Sequence, residues 1–117
     1  MDAPAVTVVE TPEFLSAASR ILRDDERMAL VNYLAGHPTA GDLIPGTGGV
    51  RKLRWALQGR GKRGGARVIY FYHSSALPLF ILTAYAKNER ADLSQADRND
   101  FKKLTKILAE NYGRTRR

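Results

Sequence analysis

The chain has 117 residues, no cysteine and a formal net charge of +7 at pH 7. This length predicts one domain over residues 1–117, and the lack of thiols excludes disulfides and thiolate metal sites or nucleophiles. The N-terminus does not resemble a signal peptide, and the longest apolar run, near residues 77–86, is too short to span a bilayer, so we expect a cytoplasmic protein without a membrane partner.

The first part of the chain predicts a strand followed by two helices. Residues 5–10 are rich in β-branched side chains, and Thr11-Pro12-Glu13 is typical of a helix start. A second helix is expected from Asp24, ending near Gly36-His37-Pro38 with His37 as its C-terminal cap. Its expected apolar stripe consists of Met28, Val31, Leu34 and Ala35.

Three strands and one helix are predicted beyond the Gly/Pro-rich loop at residues 37–49. The strands are expected at residues 50–57, 66–73 and 79–85, the second of them apolar on both faces. Ser94 and Asp97 have the spacing of a capping box that begins a C-terminal helix. The expected apolar face of this helix consists of Phe101, Leu104, Ile107 and Leu108, and residues 114–117 are expected to form a frayed tail.

The predicted order β-α-α-β-β-β-α indicates an α+β fold with a small antiparallel sheet, two N-terminal helices and a C-terminal helix. We expect the helices on one face and solvent on the other. Because Lys52 and Arg54 alternate with Leu53 and Trp55, the two cations should lie on the open face if the apolar pair lies under the helices. Arg67, Ile69 and Phe71 should share that open face, where the apolar side chains would support a nucleobase.

Positive charge is concentrated in the middle of the chain. Residues 43–88 contain eight Lys or Arg and no acid, whereas residues 1–42 contain seven acids and three arginines. A block of one sign attracts polyanions by counterion release.

The loop Gly59–Gly64 lies inside this block. It fits G-x-G-x-x-G, but it leads into a strand rather than a helix, so we exclude a dinucleotide-binding site. The remaining interpretations are a solvated turn and a flexible hairpin tip that contacts phosphates through Arg60, Lys62 and Arg63.

The sequence offers few conventional catalytic groups. The two histidines, His37 and His73, lie at predicted element ends, no acid cluster accompanies them, and we expect neither metal nor cofactor. RNA cleavage suits the remaining side chains, because the 2′-OH of RNA is the nucleophile and Lys and Arg can stabilise the phosphorane.

The stretches GDLIPGTGGVRKLRWALQGRGKRGGARVIYFY and LTAYAKNERADLS resemble the RelE/HigB family of toxins from bacterial type II toxin–antitoxin modules, and more narrowly its HigB-type branch. The resemblance implies a ribosome-dependent mRNA endoribonuclease. It assigns catalytic positions to Lys52, Arg54, Arg67, Lys87 and Asn88, although Asn88 stands where the RelE pattern has arginine. The family's catalytic tyrosine falls on Ser94. Tyr85 is a candidate substitute or base-stacking platform, and Arg51 joins the loop cations as a candidate RNA or ribosome contact.

The resemblance also implies partners: the ribosome, mRNA and a cognate antitoxin, in the HigB branch a HigA-type helix-turn-helix protein. Two other functions remain open from the sequence. One is a non-catalytic basic module that binds RNA, the ribosome or DNA, and the other is a ParE-like toxin that acts on DNA gyrase.

Overall fold

The computed structural model describes residues 5–57, 65–89 and 93–115, with side chains up to Tyr112. Its elements are β1 (Val8–Glu10), α1 (Pro12–Ile21), α2 (Asp24–Gly36), β2 (Asp42–Leu43), β3 (Val50–Trp55), β4 (Ala66–Phe71), β5 (Leu79–Ala86) and α3 (Gln95–Thr115). The predicted α+β class and element order are confirmed, with β2 as an additional short strand. The C-terminal helix continues to Thr115, so it includes the first two residues of the predicted frayed tail; residues 116 and 117 lie outside the described residues.

The five strands form one sheet in the order β1-β5-β4-β3-β2. β1 pairs with β5 in parallel, and the other pairs are antiparallel. β2 forms inside the loop predicted to be irregular, where Asp42 and Leu43 pair with Lys52 and Arg51. Sequence patterns did not indicate this strand because two residues are too few to show an alternation.

α1 and α2 cover the first face of the sheet. Thr11 caps α1 as predicted: its hydroxyl accepts from the Phe14 N–H at 3.2 Å and donates to the Ile81 carbonyl at 2.8 Å. In α2 the buried positions are Glu26, Leu30 and Leu34, spaced by four residues. The predicted stripe is therefore wrong at Met28, which is 60% exposed, because the packing direction of α2 is set by the sheet beneath it.

The second face is not open, contrary to the prediction. α3 packs against it through Phe101 and Leu108, and the Thr105 hydroxyl donates to the Thr47 carbonyl at 3.0 Å. Two residues expected to line an open face, Ile69 and Phe71, are buried beneath this layer, so neither offers a surface to a nucleobase. Leu104 and Ile107, predicted to face the core, point largely to solvent.

Within the residues that the structure describes, no helix is both long enough and apolar enough to cross a membrane.

Candidate functional site: a basic cluster on the second face of the sheet

Arg54 and Arg67 lie directly opposite each other on β3 and β4. Register partners on adjacent antiparallel strands point to the same face, with Cα atoms about 4.5–5.5 Å apart. Lys52 precedes Arg54 by two residues, so its side chain leaves the same face about 7 Å along the strand. We call Lys52, Arg54 and Arg67 the basic cluster. The register pairs Arg67 with Arg54, while Lys52 pairs with Ile69.

Among the strands that the structure describes, the basic cluster has one acidic register partner. Asp42 is the register partner of Lys52 on β2, at the edge of the sheet. Within the described residues, neither Arg54 nor Arg67 forms an ion pair; the ion pairs found there join Arg23 and Arg27 to acids of the N-terminal region. Arg54 is exposed and Arg67 half-buried, so both guanidinium groups can meet a ligand from solvent.

The Arg67 guanidinium lies over the start of β4. Its Nη1 donates to the Ala66 carbonyl at 3.4 Å and lies 3.7 Å from the position that a Cβ on Gly65 would occupy. The Gly65 carbonyl accepts a hydrogen bond of 3.0 Å from the Lys87 N–H. Arg67 and Lys87 therefore border the same residue, although their positions in the sequence are 20 apart.

Lys87 and Asn88 lie in the turn after β5, and both are exposed. Glu89 closes this turn: its N–H donates to the Ala86 carbonyl at 2.9 Å, and its carboxylate accepts from the Ala86 N–H at 3.0 Å. The segment thus has a structural role as a strand-end turn, and that turn holds the Lys87 backbone against Gly65, two residues before Arg67.

Arg51 does not join the basic cluster. Its register partner is Tyr70 on the first face, and its Nη1 donates to the carbonyls of Thr39 and Gly41 at 3.2 and 2.8 Å. By the alternation of β3, Arg51 shares the face of Leu53 and Trp55. Its contacts with backbone carbonyls indicate that it holds the loop before β2. Its candidate role as an RNA or ribosome contact stays a prediction.

The other predicted site residues are not brought together in the same way. Tyr85 is 5% exposed and belongs to the core of the second face, so its ring does not form an exposed stacking platform. Arg60, Lys62 and Arg63 lie outside the described residues. His37 caps α2 as predicted and stacks on Tyr33 with ring centroids 4.4 Å apart.

Sequence reasoning missed Arg98, which lies in the first turns of α3. With Lys52, Arg54 and Asp42 it lines a groove of about 280 Å³ between the β2 edge and α3. The signal was present: Arg98 precedes Phe101 by three residues, so it shares the side of the helix that faces the sheet.

The burial of Tyr70 links this region to the core. Its hydroxyl accepts from the Gly41 N–H at 2.8 Å and donates to the Pro38 carbonyl at 2.9 Å. Burial raises the pKa of Tyr70, while the Gly41 hydrogen bond and the Arg51 charge act in the opposite direction. The loop that leads into β2 is therefore fixed to the sheet by a neutral phenol and a guanidinium.

The cations and their surroundings define the chemistry available at this surface. In the part of the chain that the structure describes, no three His, Cys, Asp or Glu side chains are placed to hold a metal ion. Two guanidinium groups held side by side on rigid strands are suited to the oxygens of a phosphate or of a phosphorane.

The fold and this surface describe a class of protein: a small α+β domain with a mixed sheet, helices on both faces and a cationic patch beside the last helix. A family model described as the RelE toxin of the RelE/RelB toxin–antitoxin system matches residues 16–114. The chain therefore belongs to the RelE toxin family. Among solved structures, it is similar to a double arginine-to-alanine mutant of the E. coli toxin RelE in the free state. That likeness has a TM-score of 0.53 at 16% identity and covers 89% of this chain and 99% of the other, so it supports the fold alone.

Proposed function

We propose that this chain is a toxin that cleaves mRNA on the ribosome and thereby stops translation. The observation that carries the proposal is the direct opposition of Arg54 and Arg67 on adjacent strands, with neither engaged in an ion pair among the described residues. Like charges in register cost stability. A bound phosphodiester would offset that cost, because its anionic oxygens would lie between the two guanidinium groups.

The proposed reaction uses the RNA's own nucleophile. The 2′-oxygen attacks the adjacent phosphorus and loses its proton to a base, and the bond from phosphorus to the 5′-oxygen breaks as that oxygen gains a proton. The products are a 2′,3′-cyclic phosphate and a 5′-hydroxyl. Arg54 and Arg67 stabilise the phosphorane charge. We assign assistance with proton transfer or charge stabilisation to Lys52 on β3 and to Lys87 in the turn after β5.

The proposed partners follow from family membership and charge. We infer a neighbouring antitoxin that binds and neutralises this chain, and the motif resemblance to the HigB-type branch favours a HigA-type helix-turn-helix protein. A net charge of +7 suits an acidic segment on that partner. Action on ribosomes and mRNA would place the protein in the cytoplasm.

The test is induction of the protein in bacteria, with mapping of mRNA 5′ ends and primer extension on a reporter mRNA with and without ribosomes. We expect growth arrest and new 5′ ends within translated codons, only when ribosomes are present. Arg67→Ala should abolish both. Arg20→Ala, an exposed arginine of α1, is the matched control and should keep both.

Two outcomes would replace the proposal. Arrested cells with intact mRNA would indicate a non-catalytic module that binds RNA or the ribosome. DNA damage with intact mRNA would indicate a ParE-like action on gyrase.

A further inference from the structure

The groove between the β2 edge and α3 is built from two independent parts of the chain. β3 contributes Lys52 and Arg54, and α3 contributes Arg98. Asp42 on β2 is the carboxylate on its outer side, opposite Lys52. A concave surface with three cations and one carboxylate is suited to an anion that also carries a hydroxyl or an amino group.

Arg98 is held in place by contacts on both sides of it in α3. Before it, Ser94 and Asp97 form a reciprocal cap: the Ser94 N–H donates to the Asp97 carboxylate, and the Asp97 N–H donates to the Ser94 hydroxyl, both at 3.0 Å. After it, Phe101 packs on the second face and Thr105 donates to the Thr47 carbonyl. The backbone that carries Arg98 is therefore fixed relative to β3, which is the condition for a preorganised binding residue.

Arg54 lies between two possible ligand positions. On one side its register partner is Arg67 on β4. On the other side it lines the groove with Lys52 and Arg98. An RNA backbone that crosses the strands from β4 toward the edge would meet the Arg54–Arg67 pair first and the groove next.

We propose that the groove is a second phosphate subsite, in which Arg98, across the groove from Lys52, binds the RNA phosphate next to the one held by Arg54 and Arg67. The inference rests on the proposed function for the identity of the ligand. Asp42 orients the bound nucleotide, because a carboxylate accepts a hydrogen bond from the 2′-hydroxyl or a base N–H and repels phosphate from the outer side of the groove.

The test measures binding of a fluorescently labelled single-stranded RNA decamer by anisotropy across a range of salt concentrations. The variants are Arg98→Gln, Arg98→Lys, Arg67→Gln and, as a control, Lys103→Gln, an exposed lysine of the same helix. Arg98→Gln should weaken binding about tenfold and reduce the slope of log K against log salt by about 0.7, the value for one phosphate contact on a single strand. Lys103→Gln should leave the slope unchanged, and Arg98→Lys should keep most of it.

The outcomes separate this inference from the proposed function. If Arg67→Gln weakens binding and Arg98→Gln behaves like wild type, the second subsite is wrong and the proposed function is untouched. If Arg98→Gln lowers the slope but wild type does not cleave mRNA on ribosomes, the subsite is correct and the nuclease is wrong. Wild-type protein that does not bind RNA would overturn the subsite. A urea unfolding midpoint equal to that of wild type excludes misfolding of Arg98→Gln.

Discussion

Arg54 and Arg67 are register partners on the adjacent strands β3 and β4, so two positive side chains lie side by side on the same face of the sheet. Such a pair is unfavourable for folding in the absence of a ligand, by a few tenths of a kcal/mol up to about 1 kcal/mol. Under the proposed function, a bound RNA phosphate would offset this cost.

Arg54→Gln should therefore raise the free energy of unfolding by a few tenths of a kcal/mol while it lowers RNA cleavage. Urea unfolding, which adds no salt, measures the gain, and added salt should reduce it because the exposed charges are screened. Lys103→Gln is the control for simple charge removal, because Lys103 is an exposed lysine of α3 and lies outside the sheet. A loss of stability in Arg54→Gln would show that Arg54 has a favourable contact in the free protein.

Arg51→Gln should lower stability and leave cleavage unchanged, the opposite of Arg54→Gln. Arg51 donates to two backbone carbonyls on the first face, so its loss should lower the free energy of unfolding by about 1–2 kcal/mol. Cleavage per folded molecule should stay at the wild-type value, because Arg51 points away from the basic cluster. The free energy of unfolding and the cleavage rate should be measured for both Arg51→Gln and Arg54→Gln. The comparison tests whether the arginine on the first face serves stability and the arginine on the second face serves function. Loss of cleavage in folded Arg51→Gln would instead support the candidate role of Arg51 as an RNA contact.

Gly48→Ala should destabilise the docking of α3. Gly48 has φ +77°, and an added Cβ would lie 2.5 Å from the Thr105 hydroxyl oxygen. Gly46 has nearly the same φ, +78°, but open space around it. Gly46→Ala should then cost about 1–2 kcal/mol from the backbone alone, and Gly48→Ala about 1–3 kcal/mol more from the steric conflict.

Thermal or urea unfolding of the two alanine variants gives the comparison directly. Equal losses would mean that α3 shifts to accommodate the new methyl group at little cost.

Tyr70→Phe should show a pH-dependent loss of stability. At neutral pH the variant leaves the Gly41 N–H and the Pro38 carbonyl without their partner, at a cost of about 1–3 kcal/mol. Because the pKa of Tyr70 is raised in the folded protein, its contribution is complete below about pH 10, the ordinary tyrosine pKa, and falls as pH rises above that value. The difference between wild type and Tyr70→Phe should therefore shrink above about pH 10.

Urea unfolding at pH 8 and at higher pH measures this change. Tyr72→Phe is the control, since it removes the same hydroxyl from a half-buried tyrosine two residues further along the chain. A constant difference across the pH range would show that the phenol ionises equally in both states.

The sequence alone determined the class and order of the elements, because caps and alternation are local properties. Thr11-Pro12 started α1 as predicted, and Lys52 and Arg54 could be placed on one face of β3 from a period of two residues. The spacing of glycines and cations also indicated the family, because a sequence motif can be recognised without a structure.

The tertiary structure alone decided which surfaces meet. Whether α3 lies on the first or the second face of the sheet depends on packing between residues such as Thr105 and Thr47, which are far apart in the chain. That choice buried Ile69, Phe71 and Tyr85, turned Leu104 and Ile107 outward and brought Arg98 beside Arg54. Periodicity gives the face of each element but not its partner, because the partner is chosen by the free energy of the whole packed domain.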